Sequence, residues 1–289
     1  MLSTLAYHEI FRYPLTLDEI DQLFIIDHHV DKDDIRKEII NLLKKNEIIQ
    51  SGEYYQLPHA VLIDRRGRRK ISVGKFDIAR RAARIIARLP WVKLIAVTGA
   101  LAMENADEHD DIDVMIVTSE SRLWLVRPLV MVLVSLFFKR RRPNSAHLAN
   151  VPNLANTVCL NLWLDETALA IPEHQRNLYT AHELAQMRPI VNKDQTYERI
   201  MSTNSWLKKY LANVPIASLR DPLKAGRGNL IDICLRRMNL LAFNLQFLYM
   251  KSKMTNERVS LHSAFFHPGN RARETLQKYD EKIAMMSLF

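Results

Sequence analysis

Cysteine is scarce in this sequence: its 289 residues include two, Cys159 and Cys234. That is too few, and too widely spaced, for a disulfide framework or a thiolate zinc site. Both read as small buried hydrophobes in a protein of the reducing cytoplasm. Glycine and proline are sparse as well, at 7 and 11, beside 48% apolar and 25% charged residues. Collagen-like, low-complexity and wholly disordered chains are thereby excluded, and the length suits about two domains. No long hydrophobic run is present. The most apolar segment, Leu123 to Phe138, is interrupted by Arg127 and Pro128, which leaves about ten residues where a bilayer needs roughly 20. It reads as a buried helix. The opening residues Met1 to Glu9 lack a basic start and an unbroken apolar stretch, so the expectation is a cytoplasmic location with no membrane partner.

What is present in excess is positive charge, net +9, and it is unevenly placed. Residues 1–60 carry 11 acidic and six basic side chains, a balance of −5, whereas residues 61–90 carry ten basic and two acidic, a balance of +8. Residues 101–120 then hold seven acids and no Lys or Arg, after which Arg122, Arg127 and the run Lys139 to Arg142 bring positive charge back. An acidic centre between basic segments is the pattern of a site for a metal-bound polyphosphate, and also that of a solvated surface.

The first 60 residues predict three helices and a hairpin. Leu2, Leu5, Ala6, Ile10 and Phe11 recur at helical spacing until Pro14, Thr16 and Glu19 form a capping-box pair, and Ile35, Ile39, Leu42 and Leu43 share one face of a third helix. Ile48 to Leu57 reads as a short hairpin turning at Ser51-Gly52. Together these predict a winged helix-turn-helix. Its acidity argues against DNA binding, because phosphate neutralisation supplies most non-specific affinity; a packing or protein-contact role is expected instead.

The chemistry is concentrated between residues 94 and 127. Leu94 to Thr98 is a strand-like run ending at Gly99, and Ala100-Leu101-Ala102-Met103 opens a helix, a combination that presents backbone N–H groups to an anion. Ile112 to Val117 is a second strand, which puts Asp111 and Asp113 on one face, close enough to share a divalent cation. Val97-Thr98-Gly99-Ala100-Leu101-Ala102, ten further residues after Ala100, and then Asp111-Ile112-Asp113 resemble the signature of the DNA polymerase beta-type nucleotidyltransferase superfamily. Over most of its length the plan resembles prokaryotic nucleotidyltransferase-domain proteins with a winged-helix front.

The resemblance implies that Asp111 and Asp113 bind Mg²⁺ (or Mn²⁺) and act in catalysis, and that Thr98, Gly99 and Ala100 hold the nucleoside triphosphate. Arg122 and Arg127 are close enough in sequence to reach a phosphate, or alternatively to pair with the acids at 104–113. The sequence departs from the signature at Ala100, where the family has serine, and at Asp110, where serine usually precedes the first carboxylate. The third carboxylate is expected on the strand Val158 to Leu164, whose central polar residue is Asn161; Asp165 is the alternative. An amide can ligate a metal but cannot take a proton from an attacking hydroxyl.

Beyond about residue 173 the pattern turns helical, with Leu178, Ala181, Leu184 and Ala185 on one face and a long stretch at 228–253 whose Leu235, Met238, Leu241, Ala242, Leu245, Leu248 and Tyr249 read as core. The expected fold is α+β: a winged helix over 1–60, a nucleotidyltransferase-type α/β domain with a mixed sheet over 61–172, and a helical domain over 173–289. The expected function is transfer of a nucleoside monophosphate from a triphosphate to an acceptor that is a protein, a small molecule or a nucleic acid. The alternatives are a degenerate relative that binds nucleotide or nucleic acid without turnover, and a winged-helix regulator in which this core is scaffold.

Overall fold

Thr16 starts the second helix as its sequence context predicts. Its hydroxyl accepts from the Glu19 amide at 3.2 Å while the Glu19 carboxylate accepts from the Thr16 amide at 2.8 Å, so two amides at the helix start gain reciprocal partners. In the computed structural model three helices, α1 (Leu2–Glu9), α2 (Leu17–Gln22) and α3 (Lys32–Lys44), lead into a hairpin of β1 (Ile49–Ser51) and β2 (Tyr54–Gln56). Leu5, Leu15, Ile20, Ile35, Ile39 and Ile48 close one core beneath them. The structure describes residues 1–61, 63–140, 155–216, 230–252, 254, 257–266 and 271–286. The basic run is thus described only to Arg140, and the expected turn at His267 to Asn270 lies outside these residues.

A long helix, α4 (Arg65–Ile86), leads to β3 (Val92–Val97), the single turn α5 (Gly99–Ala102), β4 (Ile112–Thr118), α6 (Leu123–Phe137) and β5 (Val158–Asp165). After β5 come α7 (Leu178–Gln186), β6 (Arg188–Asn192), α8 (Thr196–Thr203), α9 (Leu230–Lys251), β7 (Arg258–Val259), β8 (Ser263–Phe265) and α10 (Arg271–Met286). Six strands form one mixed sheet in the order β6-β3-β4-β5-β8-β7. β4 and β5 are parallel and every other pairing is antiparallel. The parallel pair requires a crossover, and α6 lies within it.

Alternation along the central strands builds two cores, since successive side chains point to opposite faces. Ile95, Val97 and Ile116 face α4 and α6, packing with Ala79, Ala83, Trp124 and Val130. Leu94, Ala96, Met115 and Val117 face the other way, onto Ala181 and Leu184 of α7, Ile200 of α8 and Leu207.

Two expectations need correction. Residues 173–289 do not make a helical domain of their own: β6 pairs with β3 and β8 with β5, and α7 and α8 cover one face of the shared sheet. These strands carry little sequence signal because they are short, and every residue of β6 stays at least partly exposed at the sheet edge. Nor are α6 and α9 buried on all sides. Met238, Leu241, Leu245, Leu248 and Tyr249 of α9 are exposed, as are Leu129, Val132, Leu136 and Phe137 of α6. Apolar periodicity identified these helices but could not say which apolar stripe meets the core. Among the described residues no helix is long and apolar enough to cross a membrane.

Candidate functional site

β3 ends at Val97 and the chain turns sharply at Gly99. The Thr98 amide still donates to the Asp113 carbonyl at 3.1 Å, and Gly99 then adopts φ +64°, which an L side chain rarely tolerates. The turn also runs hard against β4: a Cβ at Gly99 would stand 2.9 Å from Asp113 Oδ2. Glycine is therefore required twice over. The helix that follows is shorter than expected, one turn of four residues.

The loop leading to Asp111 is tied down from two sides. The Asp107 carboxylate accepts from the amides of His109 (2.9 Å) and Asp110 (3.1 Å), and that of Asp110 accepts from the Asp107 amide at 2.9 Å. From α4, the Lys75 side chain reaches in, 2% exposed. Its ammonium donates to the Asp110 carbonyl at 2.6 Å, to Asn156 Oδ1 at 3.2 Å and to the Glu108 carbonyl at 3.3 Å. Burial lowers the Lys75 pKa, with the neighbouring carboxylates opposing that shift. Arg69 of the same helix pairs with Glu104 at 3.0 Å, and Arg68 donates to Asn105 at 3.1 Å. The basic stretch thus meets the acidic one at this loop, by one ion pair and by donors to its carbonyl and amide oxygens.

β4 carries Asp113 into register with Cys159 of β5. One ligand atom from each of Asp111, Asp113 and Cys159 lies within 4.8 Å of the other two. Asn161, two residues further along the same face of β5, donates from Nδ2 to Asp113 Oδ1 at 2.6 Å and is 3% exposed. Burial, reinforced by the negative charge of Asp111, pushes the Asp113 carboxyl up to about 7, with Arg271 and a hydrogen bond from Cys159 opposing. Two adjacent carboxylates in an enclosed site repel each other unless a proton or a cation separates them.

The far side of the site comes from α7 and α10. Burial raises the Glu183 carboxyl, and the charge of Arg271 and a hydrogen bond from Tyr179 oppose that shift. Burial, followed by the charge of Glu183, likewise moves Tyr179 above its ordinary value. Cys159, Tyr179, Glu183 and Arg271 were all missed from the sequence. Cys159 could have been found, since it shares a strand face with Asn161, and Tyr179 and Glu183 stand four residues apart on one helix face. Arg271 gives no such signal.

The donor set fits a divalent cation. Paired carboxylates suit Mg²⁺ or Mn²⁺ completed by water and phosphate oxygens, while the thiol of Cys159 is a softer ligand that Mg²⁺ would leave aside.

The arginines and the alternative acid lie elsewhere. β4 runs away from Asp113 for five residues, roughly 16 Å, before the chain reaches Arg122, so this side chain emerges at the opposite end of the strand. Its buried guanidinium pairs with the part-exposed carboxylate of Asp232 of α9. Arg127 donates to Gln246 of α9 at 2.9 Å and lies over the Phe266 ring at 4.6 Å; burial lowers it to about 10. Both arginines join α6 to α9. Asp165 sits opposite Thr118 at that same far end, accepting from Ser121 N at 3.0 Å and meeting His262 Nδ1 at 2.8 Å.

The sequence matches no known protein-family model and no curated protein.

Proposed function

We propose that this chain is a divalent-metal-dependent nucleotidyltransferase. The observation that carries the reading is the Asp111–Asp113 pair, set by strand register against the Gly99 turn, with Asp113 Oδ2 close enough to exclude any side chain there. Asp111 and Asp113 would hold Mg²⁺ or Mn²⁺, whose charge, when bound, would offset that of the triphosphate and favour attack at the α-phosphorus. Gly99 and Ala100 back the triphosphate with main-chain amides, the amide of Thr98 being engaged by the Asp113 carbonyl. The acceptor hydroxyl oxygen forms the new bond to the α-phosphorus as the bond from that phosphorus to the oxygen bridging it to the β-phosphate breaks; the hydroxyl proton passes to solvent water and pyrophosphate leaves. Asn161 keeps the Asp113 carboxylate in place.

The three helices and hairpin at the N-terminus support a winged-helix arrangement, and the mixed sheet supports the nucleotidyltransferase arrangement beside it. The acidity of residues 1–60 assigns that first unit to packing or protein contact rather than to DNA. The partners are a nucleoside triphosphate and an acceptor that is a protein, a small molecule or a nucleic acid, in the cytoplasm.

One observation favours a second reading. Asn161 stands beside Asp113 where the resemblance implies a third carboxylate, and an amide cannot accept the acceptor's proton; this suits a site that binds nucleotide without turning it over. Pyrophosphate release from each of the four ribonucleoside triphosphates with Mg²⁺, across a set of acceptors, separates the two. Release abolished by Asp113→Asn supports the transferase; metal-dependent binding with no release supports the second reading.

A further inference from the structure

Cys159 stands in the metal cluster, yet a hard cation held by Asp111 and Asp113 gives its thiol nothing to do. Parallel register places it directly opposite Asp113, and alternation along β5 puts it on the face that carries Asn161. Although buried, it joins neither of the two apolar cores of the sheet, whereas Val158 and Trp163 of the same strand belong to one of them. Its thiol instead donates to the Asp113 carboxylate. The sulfur is therefore aimed at the carboxylates and does not serve as packing.

The three ligand atoms form a compact set. One atom each from Asp111, Asp113 and Cys159 lies within 4.8 Å of the other two, and ligand atoms around one four-coordinate ion stand about 3.5 Å apart. Small side-chain rotations close that difference. Among the described residues no further His, Cys, Asp or Glu joins the cluster. Three protein ligands with one position left for an outside oxygen atom is the donor count of zinc sites that also take a substrate.

We propose that Cys159 is the third protein ligand of this site and that it selects a borderline-soft divalent cation, Zn²⁺ or Co²⁺, over Mg²⁺. This rests on the reading of Asp111 and Asp113 as metal ligands and adds to it the identity of the ion. The thiol proton passes to solvent as the sulfur–metal bond forms. Asn161 is neutral, so the thiolate supplies the third negative charge that the amide lacks. Thiolate sulfur favours Zn²⁺ and Co²⁺, whereas Mg²⁺ takes oxygen ligands and keeps several waters. Mg²⁺ therefore meets the two carboxylates alone, and its binding is indifferent to the sulfur.

Cobalt reports on the sulfur directly, because a thiolate bound to Co²⁺ gives an intense charge-transfer band in the near ultraviolet. The test is titration of the full, reduced chain with Co²⁺, followed by absorption. The expected result is that band, saturating at a single ion per chain, unchanged in Cys234→Ser and lost in Cys159→Ser. The chain has two cysteines, and Cys234 is exposed on α9. The Cys234→Ser chain thus holds Cys159 as its sole thiol and decides the matter even where Cys159→Ser fails to fold. Zn²⁺ affinity, read by competition with a chromogenic chelator, should fall by roughly 100-fold or more in Cys159→Ser, with Mg²⁺ affinity unchanged. Co²⁺ that binds without the band, and is lost in Asp111→Asn/Asp113→Asn, overturns the role of Cys159 and leaves the carboxylate site standing. A band that vanishes in Cys234→Ser overturns it as well, and no Co²⁺ binding at all overturns both readings.

Discussion

Gly99 and Asp113 constrain each other, and the consequence can be measured at a single atom. Gly99→Ala forces a side chain into a positive-φ position, which costs about 1–2 kcal/mol, and places a methyl 2.9 Å from Asp113 Oδ2. The carboxylate must then shift from its present position beside Asp111. The expected outcome is a lower urea midpoint together with weaker Mn²⁺ binding in equilibrium dialysis; unchanged Mn²⁺ affinity would show that the turn does not shape the metal site. This much of the site was legible in advance, because a glycine ending one strand and an Asp-x-Asp entering the next are local patterns whose geometry follows from the pleat. The rest depended on pairing between distant segments. Cys159 read as an inert hydrophobe until register set it beside Asp113, and Arg122 and Arg127 read as phosphate ligands because nearness in sequence says nothing about which end of a strand a residue leaves from.

Between elements, the contact of α1 with α7 makes an acid-sensitive joint. Tyr7 of α1 stacks on His182 of α7 with ring centroids 4.0 Å apart. Each histidine gives one ring nitrogen to the carbonyl four residues earlier, Thr4 for His8 at 2.8 Å and Leu178 for His182 at 2.9 Å. The other ring nitrogen of each is buried without a hydrogen-bond partner. Burial lowers His8 to about 4 and holds His182 well below its ordinary value. An unfolded chain therefore binds more protons than the folded one between about pH 6.5 and pH 4, so stability from this joint is complete above pH 6.5 and is lost as the pH falls. His8→Leu removes one such proton site. Between pH 7 and pH 5 the variant should lose about 2 kcal/mol less unfolding free energy than the natural chain, as read from urea titrations. The raised carboxyl of Asp113 works in the opposite direction in both chains and cancels in the comparison. Equal losses would mean that His8 is protonated in the folded state. The helices themselves were readable from Pro14, the Thr16–Glu19 cap and apolar spacing, but their mates were not. In α9 the exposed face and the packed face are both largely apolar, and only packing distinguishes them.

For the whole molecule, the charge pattern is explained by folding as much as by function. The basic α4 supplies Lys75 and Arg68 as donors to the loop before Asp111 and Arg69 as the ion-pair partner of Glu104, so the two opposed segments of the sequence meet in the fold. The sequence correctly foretold a mixed α/β molecule and its central strands. It missed that the last third of the chain contributes three short strands to the same sheet, β6 and β7 at its edges and β8 beside β5, because strands of two to five residues are too short to show an apolar period. The proposal that rests on this architecture is that Asp111 and Asp113, brought together by the sheet, hold a metal–triphosphate complex. Calorimetric titration with ATP, GTP, CTP and UTP, with and without Mg²⁺, comparing the natural chain with Asp111→Asn/Asp113→Asn, addresses it directly. The account predicts binding of at least one triphosphate that requires Mg²⁺ and falls at least 100-fold in the double variant. Binding that is indifferent to Mg²⁺ and to both substitutions, or no binding of any of the four, would contradict it.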